Sequence, residues 1–181
     1  MRNASRTIIA DAQTSQHLEE VVIHPFQKFG VAVVFIAALN LANAASAEEM
    51  VHVPSPDAIQ WGPAPPTLPK GAKVAVLFGD PGKPGLFVMR IWAPPHSVVA
   101  PHTHNTAEML TIISGEMYHQ IGVKLDKNAG DRIKAGGFVY LPAQMAHSTW
   151  IGEEPTVVQV TGTGPFGINY INPDDDPSKQ R

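Results

Sequence analysis

The sequence contains no cysteine among its 181 residues. This absence excludes disulfides, thiolate metal ligands, a cysteine nucleophile and a membrane anchor built on a lipidated cysteine. The chain also lacks a strong charge of either sign, because the formal net charge is −3 and there is no basic stripe or long acidic run. Nucleic acid is therefore not an expected partner.

Long helical patterns are missing after the first fifty residues. No stretch there shows the 3.6-residue apolar period of an amphipathic helix. Short apolar runs alternate instead with turn residues such as Asp80-Pro81-Gly82 and Pro94-Pro95. The 15 glycines and 17 prolines are scattered along the chain. This pattern predicts an all-β fold, a sandwich or barrel built from many short strands.

The N-terminal segment has the features of an export signal. Basic residues precede an apolar run from Phe29 to Leu41, which is too short to span a bilayer comfortably. Ala45-Ser46-Ala47 fits the small-x-small cleavage pattern. We expect residues 1–47 to be an N-terminal extension with a cleavable signal peptide, and the mature protein to be periplasmic or secreted, without a stable membrane anchor. A membrane anchor or a buried helix is the alternative interpretation.

The mature chain divides into three parts. Residues 48–72 form a Pro-rich arm with little expected helix. Residues 73–172 hold the short apolar runs and form the predicted β-domain. Residues 173–181 are a polar tail.

Three histidines and one glutamate stand at spacings that suit a metal site. His102 and His104 are two residues apart, so in a strand both side chains point to the same face. Glu108 follows after a short polar step, and His147 comes later in the chain. Neutral imidazoles with one carboxylate suit one divalent transition metal, such as Fe, Mn, Zn, Ni or Cu, whereas calcium prefers oxygen ligands throughout.

The same residues belong to two longer spacing patterns. The first pattern is Gly-x5-His-x-His-x3,4-Glu-x6-Gly, with matches at His102, His104, Glu108 and Gly115 and with His96 in place of the leading glycine. The second pattern is Gly-x5-Pro-x-Gly-x2-His-x3-Asn, with matches at Gly136, Pro142 and His147 and with Gln144 and Ile151 in place of the second glycine and the asparagine.

Together these motifs resemble those of the cupin superfamily, over about residues 85–165. The resemblance implies a single small jelly-roll β-barrel with the metal in its mouth, held by His102, His104, Glu108 and His147. The ending from residue 164 to 173 is similar to that of a group of small bacterial single-domain cupins, many of them exported. A small-molecule ligand or substrate and a homodimer are the partners that this resemblance implies.

Several further residues are candidates for roles at the site. Glu108 is a possible base as well as a ligand, and Tyr118 or His119 could move a proton. Only one of those two can face the barrel interior, and an exposed pair is the alternative. The substrate-binding candidates are Arg90, which could clamp a carboxylate or pair structurally, and the polar strand positions Gln159 and Thr161.

The sequence favours an exported metal-dependent enzyme that acts on a small organic molecule. Dioxygenase-like oxidoreductase chemistry is preferred, because a mixed His/Glu set with open positions suits redox metals. Isomerase and lyase reactions remain open, since the cupin superfamily includes them. The alternative is a non-catalytic module that binds or senses a small molecule through the same metal barrel. A purely structural metal is disfavoured, because structural sites tend to be closed.

Overall fold

The structure is a computed structural model that describes residues 50–180, so the predicted signal peptide lies outside the described residues. Within that range eleven strands follow one another, accompanied only by short 3-10 turns. The strands are β1 (Gly62–Pro63), β2 (Lys73–Phe78), β3 (Gly85–Ala93), β4 (Val98–Thr103), β5 (Glu108–Ser114), β6 (Glu116–Ile121), β7 (Asp131–Lys134), β8 (Phe138–Leu141), β9 (His147–Ile151), β10 (Thr156–Gly164) and β11 (Asn169–Tyr170). The 3-10 turns are Pro56–Ala58, Pro173–Asp175 and Pro177–Lys179. Between residues 50 and 180, no helix has the length and apolar character needed to cross a membrane.

The strands form two antiparallel sheets. One sheet has the order β1-β2-β3-β10-β5-β8, and the other has the order β11-β4-β9-β6-β7. Strands that are neighbours in a sheet are often distant in sequence, as β3 and β10 are. The predicted all-β jelly-roll barrel is confirmed.

The core is built from the inward positions of alternating strand residues. In β3, Phe87 and Met89 are buried while Leu86 is 54% exposed, which is the alternation expected of a strand with one face against the core. In β10, Val158 and Val160 alternate in the same way and are almost fully buried. These side chains pack together in one cluster that also includes Leu110 and other residues of the facing strands.

Tight turns connect the strands at the motif positions. Gly115, between β5 and β6, has φ +75°, and a Cβ added there would lie 2.6 Å from both the Pro155 carbonyl oxygen and the Thr156 Oγ1. This position therefore requires glycine. His96 and Gln144, which stand where the cupin motifs have glycine, adopt φ values of 62° and 64°. The left-handed turn is kept at both positions although the glycine is not.

The Pro-rich arm is attached to the domain at two points. Its strand β1 pairs with β2. Further along, the Thr67 carbonyl oxygen accepts a hydrogen bond of 2.7 Å from the Tyr170 hydroxyl of β11. These contacts hold the arm against the domain, where Pro65, Thr67, Leu68 and Pro69 line a cavity.

Candidate metal centre

The four predicted ligands meet between the two sheets. His102 lies in β4 directly opposite His147 of β9, its partner in the antiparallel ladder. His104 follows the end of β4 and points to the same side as His102, as the two-residue spacing predicts. Glu108 is the first residue of β5, which belongs to the other sheet. The two sheets therefore each contribute side chains to one point.

Distances within this group are short. The ligand atoms of the three histidines lie within 4.8 Å of one another, and all three residues are buried. The Glu108 Oε2 lies 3.4 Å from the His104 Nε2 and 3.4 Å from the His147 Nε2. The three buried histidines form a group that could bind a metal ion, with the carboxylate of Glu108 beside them.

Backbone carbonyls orient all three imidazole rings in the same way. The Nδ1 atoms of His102, His104 and His147 lie 2.8, 2.7 and 3.1 Å from the carbonyl oxygens of Ala100, Gly167 and Met145. A carbonyl oxygen can only accept, so each Nδ1 carries the proton and each Nε2 carries a lone pair. Such an outer hydrogen bond is the usual companion of a histidine that binds a metal through its other nitrogen.

The inward-facing atoms lack partners in the protein. The His104 Nε2 and the Glu108 Oε2 are buried without a hydrogen bond. Both atoms are acceptors in this arrangement, and acceptors that face each other at 3.4 Å need a cation between them. Leaving a buried polar atom unsatisfied costs about 1–3 kcal/mol. These residues fit a divalent transition metal, because the donor set is nitrogen and carboxylate oxygen in a buried position.

The protonation states of the site also suit metal binding. Burial lowers the pKa of His102 to about 3, and the neighbouring His147 and His104 lower it further in the same direction. Burial by itself would raise the pKa of Glu108, but the favourable interaction of its carboxylate with the neighbouring His104 and His147 outweighs burial and lowers the pKa to about 2. At neutral pH His102 is neutral and Glu108 is ionised, which are the forms that bind metals.

His119 faces the interior and Tyr118 faces outward. The His119 side chain is 5% exposed, its ring centroid lies 5.6 Å from that of His147, and its Nε2 has no hydrogen-bond partner. Burial lowers the pKa of His119. Tyr118 instead stacks on Trp150, with centroids 5.4 Å apart. Of the two predicted proton carriers, only His119 lies near the metal ligands.

A cavity of about 310 Å³ adjoins the site. His102, His104, Glu108 and His147 form part of its wall, and the remainder is mostly apolar. The apolar lining includes Met89, Ile91, Leu110, Val158 and Val160. This volume lies at the small end of the range of about 300–1,000 Å³ that is typical of small-molecule sites.

Arg90, Gln159 and Thr161, the predicted substrate-binding residues, lie outside the lining of the cavity. Arg90 and Gln159 are register partners in β3 and β10, and the Arg90 Nε donates a 3.2 Å hydrogen bond to the Gln159 Oε1. Both alternate with inward residues such as Met89 and Val160, so they lie on the outer face of the sheet, as Thr161 does. None of the three lines the cavity. The alternative expected for Arg90 was a structural pair with an acidic neighbour, whereas its observed partner is the neutral side chain of Gln159.

Two contributions to the site were not predicted from the sequence. The Phe166 ring stacks on the His104 ring with centroids 4.3 Å apart, and the next residue supplies the carbonyl that accepts from His104. Residues 65–69 of the Pro-rich arm cover part of the cavity. The resemblance of residues 164–173 to the ending of small single-domain cupins was a signal for the contribution of Phe166 and Gly167. No sequence signal indicated the contribution of the arm, because a segment without apolar periodicity does not show which surface it contacts.

Comparison with protein families places the chain in a known class. The fold and the arrangement of His102, His104, Glu108 and His147 are those of a cupin. The ChrR cupin-like domain family matches residues 49–167, so the chain belongs to that family and the cupin prediction is confirmed. No curated protein sequence matches the chain.

Solved structures resemble the chain in fold. The polyketide cyclase RemF from Streptomyces resistomycificus has a TM-score of 0.58 and 15% identity, covering 71% of this chain and 91% of its own. A protein from Methylibium petroleiphilum PM1, provisionally assigned as an acetylacetone dioxygenase, has a TM-score of 0.55 and 22% identity, covering 73% and 88%. At these identities the likeness concerns the jelly-roll fold.

Proposed function

We propose that this cupin is a metal-dependent enzyme that acts on a small organic molecule, with dioxygenase-like chemistry. One observation carries the proposal: buried acceptor atoms of His104 and Glu108 converge without partners at the wall of a cavity large enough for a small molecule. His102, His104 and His147 would hold the metal, with Glu108 as the fourth ligand or as a base. When bound, such a metal acts as a Lewis acid and positions or activates molecules at its open coordination positions.

The protein's own residues would do three things in this reaction. The Nδ1 hydrogen bonds keep the imidazoles in the tautomer that presents Nε2 to the metal. The apolar wall excludes water from the space beside the metal. Glu108 could accept a proton when its oxygen is not engaged by the metal, and His119 could exchange protons behind His147.

Elemental analysis of the purified protein, followed by oxygen uptake, tests this proposal. We expect about one equivalent of a transition metal per chain and oxygen consumption with a panel of diols, phenols and β-diketones. The double variant His102→Ala, His104→Ala should lose both metal and activity while it keeps most of the β-sheet circular dichroism. His52→Ala is the matched control, since it removes an exposed imidazole. A protein without metal at any stoichiometry would contradict the proposal.

A second candidate function is a non-catalytic module that binds or senses a small molecule. One observation favours it: among the described residues that line the cavity, the only titratable side chains are the four at the metal centre. A catalytic acid or base elsewhere in the cavity is therefore missing from that lining. Ligand binding by the metal-loaded protein without turnover of any compound in the panel would favour this module.

We also propose that the protein is exported and forms a homodimer. The support for export is the signal-like segment before residue 48. The support for the homodimer is that single-domain cupins often dimerise. Cell fractionation of the full-length chain should recover a shortened protein outside the cytoplasm, and a variant without residues 1–47 should stay inside. Light scattering of the mature protein should give twice the mass of one chain.

A further inference from the structure

The cavity wall carries almost no charge. Among the described residues that line it there is no lysine or arginine, and Glu108 is the only acidic one. Polar side-chain groups away from the metal centre are limited to the hydroxyls of Thr67, Ser97 and Thr149 and the indole N–H of Trp150, all of them uncharged. Most of the remaining wall is made by aliphatic side chains, proline and Phe166.

Positive side chains near the sheets are directed elsewhere. Arg90 lies on the outer face of the six-stranded sheet and donates to Gln159. Lys73, at the start of β2, lies over the Trp92 ring, with its Nζ 5.3 Å from the ring centroid. Neither residue lines the cavity, so neither can neutralise an anionic group inside it.

We propose that the cavity selects an uncharged, largely apolar molecule whose polar atoms are confined to a metal-binding oxygen group, and that it rejects molecules with a carboxylate or phosphate at their far end. This inference deepens the proposed function and rests on it. It narrows the substrate class to compounds such as alkyl- or aryl-substituted diols, phenols and diketones.

Desolvation is the physical reason for this selection. A charged group that leaves water must regain its lost hydration energy from a partner of opposite charge, and the wall away from the metal centre has none. A divalent metal combined with the Glu108 carboxylate leaves one net positive charge, located at the metal centre. One ionised oxygen can therefore be compensated there, whereas a second anionic group at the opposite end of the ligand cannot.

A matched pair of probes tests the selection. The probes are 4-isopropylcatechol and 3,4-dihydroxybenzoate, which share the same chelating end and have the same number of non-hydrogen atoms, with an isopropyl group in one where the other has a carboxylate. Zinc-loaded protein is used for calorimetry, because zinc has no redox chemistry and binding is then measured without turnover. We expect 4-isopropylcatechol to bind more than about tenfold tighter. Equal affinity, tighter binding of the carboxylate, or binding of neither probe would overturn the proposal.

A charge placed at the cavity edge should change the preference. Val76 lines the cavity and is 50% exposed, so Val76→Lys can place an ammonium group at the edge without burying it. This variant should bind 3,4-dihydroxybenzoate about fivefold tighter than the unmodified protein does. Phe138→Lys is the matched control, since Phe138 is exposed to a similar degree and does not line the cavity, and it should leave both affinities unchanged. Identical effects of the two variants would count against the proposal.

Titration of metal-free protein separates this proposal from the proposed function. If the protein takes up no metal, the proposed function fails. The substrate-class inference then depends on isopropylbenzene and benzoate, two probes without a chelating end. Preference for isopropylbenzene would support the inference, and preference for benzoate would overturn it.

Discussion

At the scale of single residues, hydrogen bonds to backbone carbonyls decide what the histidines can do. The Nδ1 atoms of His102 and His147 each donate to the carbonyl oxygen of the residue two positions earlier in the chain. The Nδ1 of His104 donates to the Gly167 carbonyl oxygen, in the segment after β10. The same ring in a free orientation could present either nitrogen. The carbonyls thus convert three separate histidines into a set whose lone pairs point to one place.

The pKa of His102 predicts how the metal-free protein responds to acid. The folded pKa is about 3 and the ordinary value is 6.5, so between these values the unfolded chain binds a proton that the folded chain does not. The free energy of unfolding should therefore be highest above about pH 6.5 and fall steadily as the pH drops toward 3. Glu108, with its pKa lowered from 4.5, adds a further loss in the acid part of the range.

Denaturant titrations of chelator-treated protein between pH 7 and pH 4.5 would measure this dependence. His102→Gln removes the titrating ring and should give a shallower slope over the same range. A slope that is the same in both proteins would show that His102 is not the group responsible.

His119 gives a second prediction at this scale. Its buried Nε2 has no partner, and an unsatisfied polar atom of this kind costs about 1–3 kcal/mol. His119→Phe keeps a ring beside His147 and removes the nitrogen, so the free energy of unfolding should rise by about 1 kcal/mol with the metal content unchanged. Guanidine denaturation and elemental analysis measure the two quantities. A lower stability, or a loss of metal, would show that the nitrogen has a partner in the loaded protein.

At the scale of strands and turns, the sequence predicts that strand residues alternate between two faces, but it does not reveal which face packs against the core. Both faces of β3 are apolar, with Phe87, Met89 and Ile91 on one side and Leu86, Val88 and Trp92 on the other. A pattern with two apolar faces does not reveal which one meets the core. For this reason Arg90 was a candidate for substrate binding, although it lies on the outer face.

The convergence of the candidate metal ligands was easier to predict, because the evidence for it does not depend on a single strand. His102 and His104 share a face by their spacing, and the second motif supplies His147 at a fixed distance from Pro142. The structure was needed to show that the His119 side chain points to the interior. In β6, Met117 and His119 share one face and Tyr118 and Gln120 share the other, and the sequence allows either pair to be buried. The arm that covers the cavity was unpredictable for a related reason, because residues 65–69 have no periodicity that could indicate a contact surface.

The two left-handed turns without glycine give a prediction at this scale. Gln144 has φ 64°, a conformation that costs a residue with a Cβ about 1–2 kcal/mol. Gln144→Gly should raise the free energy of unfolding by roughly 0.5–1 kcal/mol, less than the full strain because glycine also makes the unfolded chain more flexible. The backbone bond from the Gln144 N–H to the His104 carbonyl oxygen, 2.9 Å long, should persist.

Urea denaturation of three proteins would isolate the effect of the backbone. Gln144→Ala keeps the Cβ and loses the weak, exposed contact with Asn105, so it should not be stabilised. Equal stabilisation by glycine and alanine would mean that the side chain, rather than the turn conformation, is the source of the strain.

At the scale of the whole molecule, the domain combines a polar candidate metal centre with an apolar cavity in one interior. The centre uses side chains from both sheets, and the cavity uses the inward positions of the same strands together with the arm. Tyr170 of β11 links the two parts, because its hydroxyl holds the arm at Thr67 while its ring lies 6.0 Å from that of His102. Most of the cavity wall is nevertheless made by side chains other than the four candidate ligands, so metal binding and ligand binding should be separable by substitution there.

Ile91→Phe tests this separation. Ile91 lines the cavity from β3, and a phenyl ring in its place would fill part of the 310 Å³ volume. The substitution removes none of the hydrogen bonds that orient the candidate metal ligands. We expect the metal content to stay at the level of the unmodified protein, while the affinity for 4-isopropylcatechol falls by more than about tenfold because the space is filled. Val88→Phe makes a comparable change on the opposite face of the same strand and should alter neither quantity. If Ile91→Phe instead lowers the metal content and leaves ligand affinity intact, the ligand does not bind in this cavity.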